Sequence, residues 1–141
     1  MRRYLFDDAP VPMVAVRKRI AESASGFARD GFGLFTLAWR EPPPEVVGFA
    51  GLRRFGAAGE VEILYALLPS CWGRGLATEA ARAVLRFGLE DGGVPEILAG
   101  ADLENAASFR VMERLGMTLA RDVFIDGRPV RYYRIRKGEL A

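Results

Sequence analysis

The stretch Leu67–Asp91, LLPSCWGRGLATEAARAVLRFGLED, constrains this chain more than any other. It opens as the end of an apolar strand, passes Pro69, and enters the small-residue turn Trp72-Gly73-Arg74-Gly75-Leu76-Ala77. A helix follows, with apolar positions Leu76, Ala80, Ala83, Val84, Phe87 and Leu89. A strand feeding a glycine turn that opens a helix leaves several backbone N–H groups aimed at one spot, an anion site by geometry and by partial charge. Gly73 and Gly75 place no side chain where a ligand must approach the backbone, and Thr78 adds a hydroxyl. Gly-x-Gly alone does not identify the ligand. The dinucleotide form Gly-x-Gly-x-x-Gly would need glycine where Thr78 stands, and the Gly-Lys-Ser/Thr of nucleotide-kinase loops is absent.

The elements around this stretch narrow the fold. Apolar spacing at Met13, Val16, Ile20, Ala24 and Phe27 predicts a helix over about 12–29, ended by Gly31 and Gly33. Leu34–Trp39 is a strand, apolar enough to be covered on both sides. The prolines of Glu41-Pro42-Pro43-Pro44 connect it to a strand over Glu45–Phe55, and Gly56–Gly59 turns into a third strand, Glu60–Leu68. These three form an antiparallel meander ahead of the glycine loop, which excludes a Rossmann unit, whose loop follows its first parallel strand. Gly92-Gly93 and Pro95 stop the long helix; Ile97–Ala101 is a short buried strand and Asn105–Leu115 a helix capped by Gly116. Asp126-Gly127 joins the strands Thr118–Ile125 and Pro129–Arg136 in a hairpin. Imperfect alternation over Val130–Arg136 places that last strand at a wet edge.

Composition removes several classes of function. At 141 residues the chain is read as one domain over 1–141. No apolar run nears the ~20 residues of a membrane span, and Asp7, Asp8, Pro10 and Pro12 interrupt any secretory signal after Met1-Arg2-Arg3. The single Cys71 rules out an internal disulfide and fits a reducing compartment, so a cytoplasmic protein is expected. Without histidine, neither a zinc site nor a Ser-His-Asp arrangement is expected. A formal charge of +2, dispersed along the chain, makes no case for nucleic acid; Arg17-Lys18-Arg19 reads as a solvated helix face.

The glycine loop resembles the pyrophosphate loop of the GNAT superfamily of acetyl-CoA-dependent N-acetyltransferases, which reads Gln/Arg-x-x-Gly-x-Gly/Ala. Trp72 stands at the first position, Gly75 at the central glycine and Ala77 at the last small residue. Trp-Gly-Arg-Gly followed by Ala-Thr-Glu-Ala looks most like the branch that acetylates ribosomal-protein N-termini and related amines. A second stretch, Asp102-Leu103-Glu104-Asn105-Ala106-Ala107-Ser108 ending in Arg114-Leu115-Gly116-Met117, resembles the superfamily's strand-end Asn and pantetheine-holding helix.

The resemblance implies an α+β, three-layer fold: a mixed, mostly antiparallel sheet with flanking helices. It also implies a strand and further helix before the helix at 12–29, so the chain reads as lacking the first strand and part of the first helix. A missing strand would expose a sheet edge, and a second copy of the chain is one cover for it.

It further implies acetyl-CoA as co-substrate and direct attack by an amine, on a small molecule or a peptide. The backbone from Trp72 through Gly73, Gly75, Leu76, Ala77 and Thr78 would hold the pyrophosphate. Arg74 is either an electrostatic contact or a solvated loop charge. A backbone N–H exposed where two strands splay, at about Ile63 to Leu67, would polarise the thioester carbonyl. Asn105 is both a pantetheine contact and an ordinary helix N-cap, and Ser108, one turn on, either faces the cofactor or lies on the surface. Glu62 is the candidate base, in the strand leading to the loop; with Glu60, which shares its face, it is alternatively a cation-binding pair or a solvated strand face. Many relatives carry a tyrosine as general acid where this chain has Met112, which donates no proton. Ser108 or water is a weak substitute, and Tyr65 reads as packing. Cys71, without a histidine partner, is not expected to act as a nucleophile. The rival reading is a catalytically silent CoA-binding module.

Overall fold

The computed structural model describes residues 26–39, 45–73 and 75–141. The expected helix over 12–29 falls mostly outside them, as does Arg74. Residues 26–30 are helical, and the Gly31 N–H returns to the Phe27 carbonyl at 3.1 Å with φ +78°, the left-handed stop that glycine supplies. Six strands follow: β1 (Leu34–Ala38), β2 (Val46–Phe55), β3 (Glu60–Leu67), β4 (Glu96–Asp102), β5 (Thr118–Ile125) and β6 (Arg128–Arg136). Helix α1 (Leu76–Arg86) lies between β3 and β4, and α2 (Ala106–Arg114) between β4 and β5.

The strands join in one mixed sheet of order β1-β2-β3-β4-β6-β5, antiparallel except where β4 runs parallel to β3. That parallel step needs a crossover, and α1 provides it. Asp126 (φ +52°) and Gly127 (φ +78°) both take the left-handed conformation of a tight hairpin between β5 and β6.

Period-two alternation gives the sheet two unlike faces. One carries Ala50, Leu52, Val61, Ile63, Ile97, Ala99 and Ile135 against Ala81, Val84 and Leu85 of α1, Met112 of α2 and Leu115 just after it. Each large side chain buried here contributes about 1.5–3 kcal/mol. The opposite face carries Arg53, Phe55, Glu60, Glu62, Leu98 and Tyr132; Phe55 stacks on Tyr132 with centroids 5.7 Å apart.

Two expectations are corrected. Strand β1 is not covered on both sides: it is the edge strand of the described sheet, with Phe35, Thr36 and Ala38 exposed. Its Phe35 ring gains edge-on contacts with Phe27 and Phe87 instead, at 5.2 and 5.7 Å. Strand β6 is not at a wet edge but lies inside, between β4 and β5, with Tyr132 and Ile135 buried. Its arginines break the alternation because they pair across neighbouring strands, Arg131 with Asp122 and Arg136 with Glu96. Of the apolar positions in and after α1, Val84 and Leu89 are buried and Ala80 and Phe87 pack against the core, while Ala83 is exposed; Thr78, Ala81 and Leu85 also point inward. After Arg86 the helix widens into a turn over Phe87–Asp91, where the Gly92 N–H reaches the Phe87 carbonyl at 2.8 Å. That extra residue shifts the phase, so one helical period cannot fit both halves.

Candidate functional site at the β3–β4 splay

Strands β3 and β4 meet at a single register pair, Glu62 with Leu98. Beyond it β3 stays with β2 as far as Gly48–Leu67, and β4 stays with β6 as far as Asp102–Val130. Two parallel strands held at one point and drawn apart by different neighbours must open a gap. The Leu68 N–H donates to the Val47 carbonyl at 2.8 Å, which sets the ladder phase. Even-numbered residues of β3 therefore bond to β2, and the N–H groups of Ile63, Tyr65 and Leu67 point toward β4. Past Glu62 those of Tyr65 and Leu67 face the gap. This is the splayed backbone expected at about Ile63 to Leu67.

Both helices start at the mouth of this gap, because β3 and β4 run the same way. After β3 the chain makes a tight turn, Pro69–Cys71, and the Trp72 indole Nε1–H donates to the Leu67 carbonyl at 3.0 Å. The indole is thus a strut between loop and strand end. Gly73 (φ +78°) and Gly75 (φ +73°) are left-handed, and a Cβ at either would meet nothing within 4 Å. Gly75 caps α1 without any side-chain hydrogen bond, so the first-turn N–H groups of Leu76, Ala77 and Thr78 keep no side-chain partner from the cap. An open cradle of this kind, with bare donors at a helix N-terminus, fits a pyrophosphate.

At the start of α2 the buried Asn105 accepts a hydrogen bond from the Ser108 N–H at 3.1 Å through its Oδ1. It is therefore an N-cap, and that cap fixes Ser108 beside the gap. Met112 is buried in the core, 1% exposed, and takes no part in proton transfer. Cys71 is buried against Val47 and Leu67, in keeping with a packing role.

Glu62, on the sheet face away from the helices, is 5% exposed. The Arg53 Nε–H donates to its Oε1 at 2.6 Å. Glu60, on the same face, accepts two bonds from Arg121, at 2.7 and 3.1 Å, and these hold its carboxyl below the ordinary range against the opposing effect of burial. Each carboxylate already has its own arginine, so the two do not form a free cation-binding pair. Arg53 went unnoticed in the sequence, yet the Gly56–Gly59 turn contains the signal: a hairpin that pairs Phe55 with Glu60 pairs Arg53 with Glu62.

Among the described residues no cluster of candidate ligands could hold a metal, and no helix is long and apolar enough to cross a membrane.

The family described as acetyltransferase (GNAT) domain matches residues 1–118. The Bacillus subtilis protein YkkB is 36% identical over 73 residues, 52% of this chain and 42% of that protein. The aligned region thus spans less than half of that curated relative. An acetyltransferase from Agrobacterium tumefaciens superposes with a TM-score of 0.79 at 23% identity, over 92% of this chain and 75% of that one. RimL, a ribosomal L7/L12 alpha-N-protein acetyltransferase solved with coenzyme A, superposes with a TM-score of 0.73 at 18% identity, over 89% of this chain and 73% of that one. At such identities the structures show a shared fold, and the matched domain covers most of the sequence: the chain belongs to the GNAT acetyltransferase family.

Proposed function

We propose that residues 1–141 form one acetyltransferase domain that moves an acetyl group from acetyl-CoA to a primary amine by direct attack of the amine. One observation carries the reading: a gap opens beyond the Glu62–Leu98 pair, with two helix N-termini at its mouth and a buried carboxylate at its root.

Acetyl-CoA supplies an activated acetyl thioester. The backbone from Trp72 to Thr78, through Gly73, Gly75, Leu76 and Ala77, binds its pyrophosphate, with Arg74 as the electrostatic contact. Asn105 and Ser108 hold the pantetheine arm. The Tyr65 and Leu67 N–H groups point where the thioester carbonyl oxygen would gain charge, and donors fixed in such a place contribute much of the catalysis of acyl transfer. Glu62 takes the proton from the attacking amine, with Arg53 orienting its carboxylate. The acceptor is a peptide N-terminus or a small amine in a reducing, cytoplasmic setting, and the chain is proposed to pair with a second copy of itself.

Calorimetric titration with acetyl-CoA, followed by thiol release against a panel of amines, tests the reading. Micromolar binding and amine-dependent thiol release are expected, with kcat falling by about 10²-fold or more in Glu62→Gln. Binding without release would leave only a silent CoA-binding module. No binding by folded protein would sink the assignment altogether.

A further inference from the structure

Arg53 uses only part of its guanidinium on the base. Its Nε–H donates to Glu62 at 2.6 Å, and among the described residues its two terminal nitrogens meet no hydrogen-bond or ion-pair partner. The carboxylate is nearly buried, whereas the arginine side chain is 37% exposed. A guanidinium carries five N–H donors in a rigid plane, so an outward fork of two nitrogens stays open beside the base. Such a fork matches a carboxylate and holds it through two parallel charge-assisted bonds.

The strand register extends this arrangement across the sheet. Arg53 of β2, Glu62 of β3, Leu98 of β4 and Arg134 of β6 lie abreast on the face away from the helices. On the same face Arg121 answers Glu60 and Arg136 answers Glu96. Arg134 has no carboxylate of its own among the described residues. The surroundings of Glu62 therefore hold more positive charge than their acids cancel. That balance disfavours a polycation and favours an acceptor with an acid group.

We propose that the acceptor is a free amino acid, whose carboxylate lies in the Arg53 fork while its amine lies against Glu62. The proposal rests on the acetyl-transfer reading and names the substrate class of that same site. Cation and anion stand side by side here, and the zwitterion of an amino acid is their mirror image. Because one guanidinium touches both the base and the acid group, roughly one or two carbons separate the acceptor's two ends. A polyamine or a lysine side chain offers no acid to the fork, and a peptide N-terminus has an amide in its place. Arg53 makes and breaks no bond. It determines specificity by fixing the amine between the base and the gap.

The test follows thiol release from acetyl-CoA with free amino acids, their carboxamides, alanyl peptides and amines that lack the carboxyl group. For the preferred amino acid, kcat/KM is expected to exceed that of its carboxamide by at least about tenfold, the effect of one charge-assisted hydrogen bond. Intrinsic reactivity runs the other way, since the carboxamide's amine is less basic and more of it is unprotonated at neutral pH. Arg53→Gln is expected to lower kcat on every acceptor and also to bring the acid-to-amide ratio near one. That ratio is independent of how much of the variant is folded, and a purely structural role for Arg53 would leave it unchanged. Wild-type protein that releases thiol as fast with carboxamides, peptides or simple amines overturns the proposal, and so does a ratio that survives Arg53→Gln. Should Arg53→Gln fail to fold, Arg53→Lys, which keeps the charge and loses the fork, is expected to lower the ratio, and an unchanged ratio there overturns the proposal equally. Wild-type protein that releases no thiol with any amine overturns the acetyl-transfer reading itself, a failure visible before any variant is made.

Discussion

Arg53 and Glu62 stand directly opposite each other on β2 and β3, and the guanidinium Nε–H of one meets the carboxylate of the other at 2.6 Å. The carboxylate side chain is 6% exposed and the guanidinium side chain 37%, so a buried charge is held by a counter-ion at the surface. Removing the arginine takes from a buried carboxylate the charge-assisted hydrogen bond that Arg53 donates. Arg53→Ala is therefore expected to lower stability by about 2 kcal/mol in urea denaturation. Glu62→Gln keeps an oxygen for Arg53 and is expected to cost less than about 1 kcal/mol. The reverse order would show that the pair does not hold Glu62 in place.

Substitution at Gly75 separates fold from ligand. A Cβ there meets no atom, so Gly75→Ala pays only for the left-handed backbone, about 1–2 kcal/mol by thermal melting. The methyl also fills the cradle beside the first N–H groups of α1. Calorimetry is expected to show acetyl-CoA affinity reduced at least tenfold. Unchanged affinity would place the pyrophosphate elsewhere.

Gly51 is a glycine for a different reason. A Cβ at this position would overlap the backbone carbonyl of Gly33, and backbone cannot move aside as a side-chain tip can. Gly51→Ala is expected to peel β1 from β2, costing about 1–3 kcal/mol and speeding amide exchange over Leu34–Ala38 while β3 and β4 stay protected. Uniform loss of protection would mean that β1 is integral to the cooperative unit.

Acid stability draws on three arginine–carboxylate pairs, of which Asp122 with Arg131 is the most exposed and the other two give the sharper test. The Asp30 carboxyl is held below its ordinary value chiefly by the hydrogen bond from Arg54, and Glu60 by that from Arg121, burial opposing in each. A carboxyl whose folded pKa lies below its unfolded one contributes fully above the unfolded value, near pH 4, and loses that contribution as pH falls through the folded value. Unfolding free energy is thus expected to be level toward neutral pH and to drop below about pH 4. Asp30→Asn with Glu60→Gln is expected to flatten the drop. An unaltered acid limb would show that other groups set it.

Much of the fold was legible because the signals are local. The left-handed glycines at 73 and 75, the Asn105 cap and the Asp126-Gly127 turn all act within a few residues of themselves. They landed where the sequence placed them. Which alanines of α1 face inward is not legible, because alanine sits both inside and outside, and the wide turn at Phe87–Asp91 leaves no trace in a regular period. Strand β6 was read as wet because its arginines look solvated until Asp122 and Glu96 are seen beside them.

The sequence by itself determined the order of elements, the turn chemistry, the glycine cradle and the family to which the chain belongs. Only the tertiary structure decided that β3 leaves β4 after Glu62, that β1 forms the edge of the described sheet, and that Glu62 is buried beneath Arg53. The physical reason is the reach of the forces. Caps and turns are settled by neighbours along the chain, whereas a splay between strands and the burial of a charged side chain depend on how the whole sheet twists and packs, which no local pattern encodes.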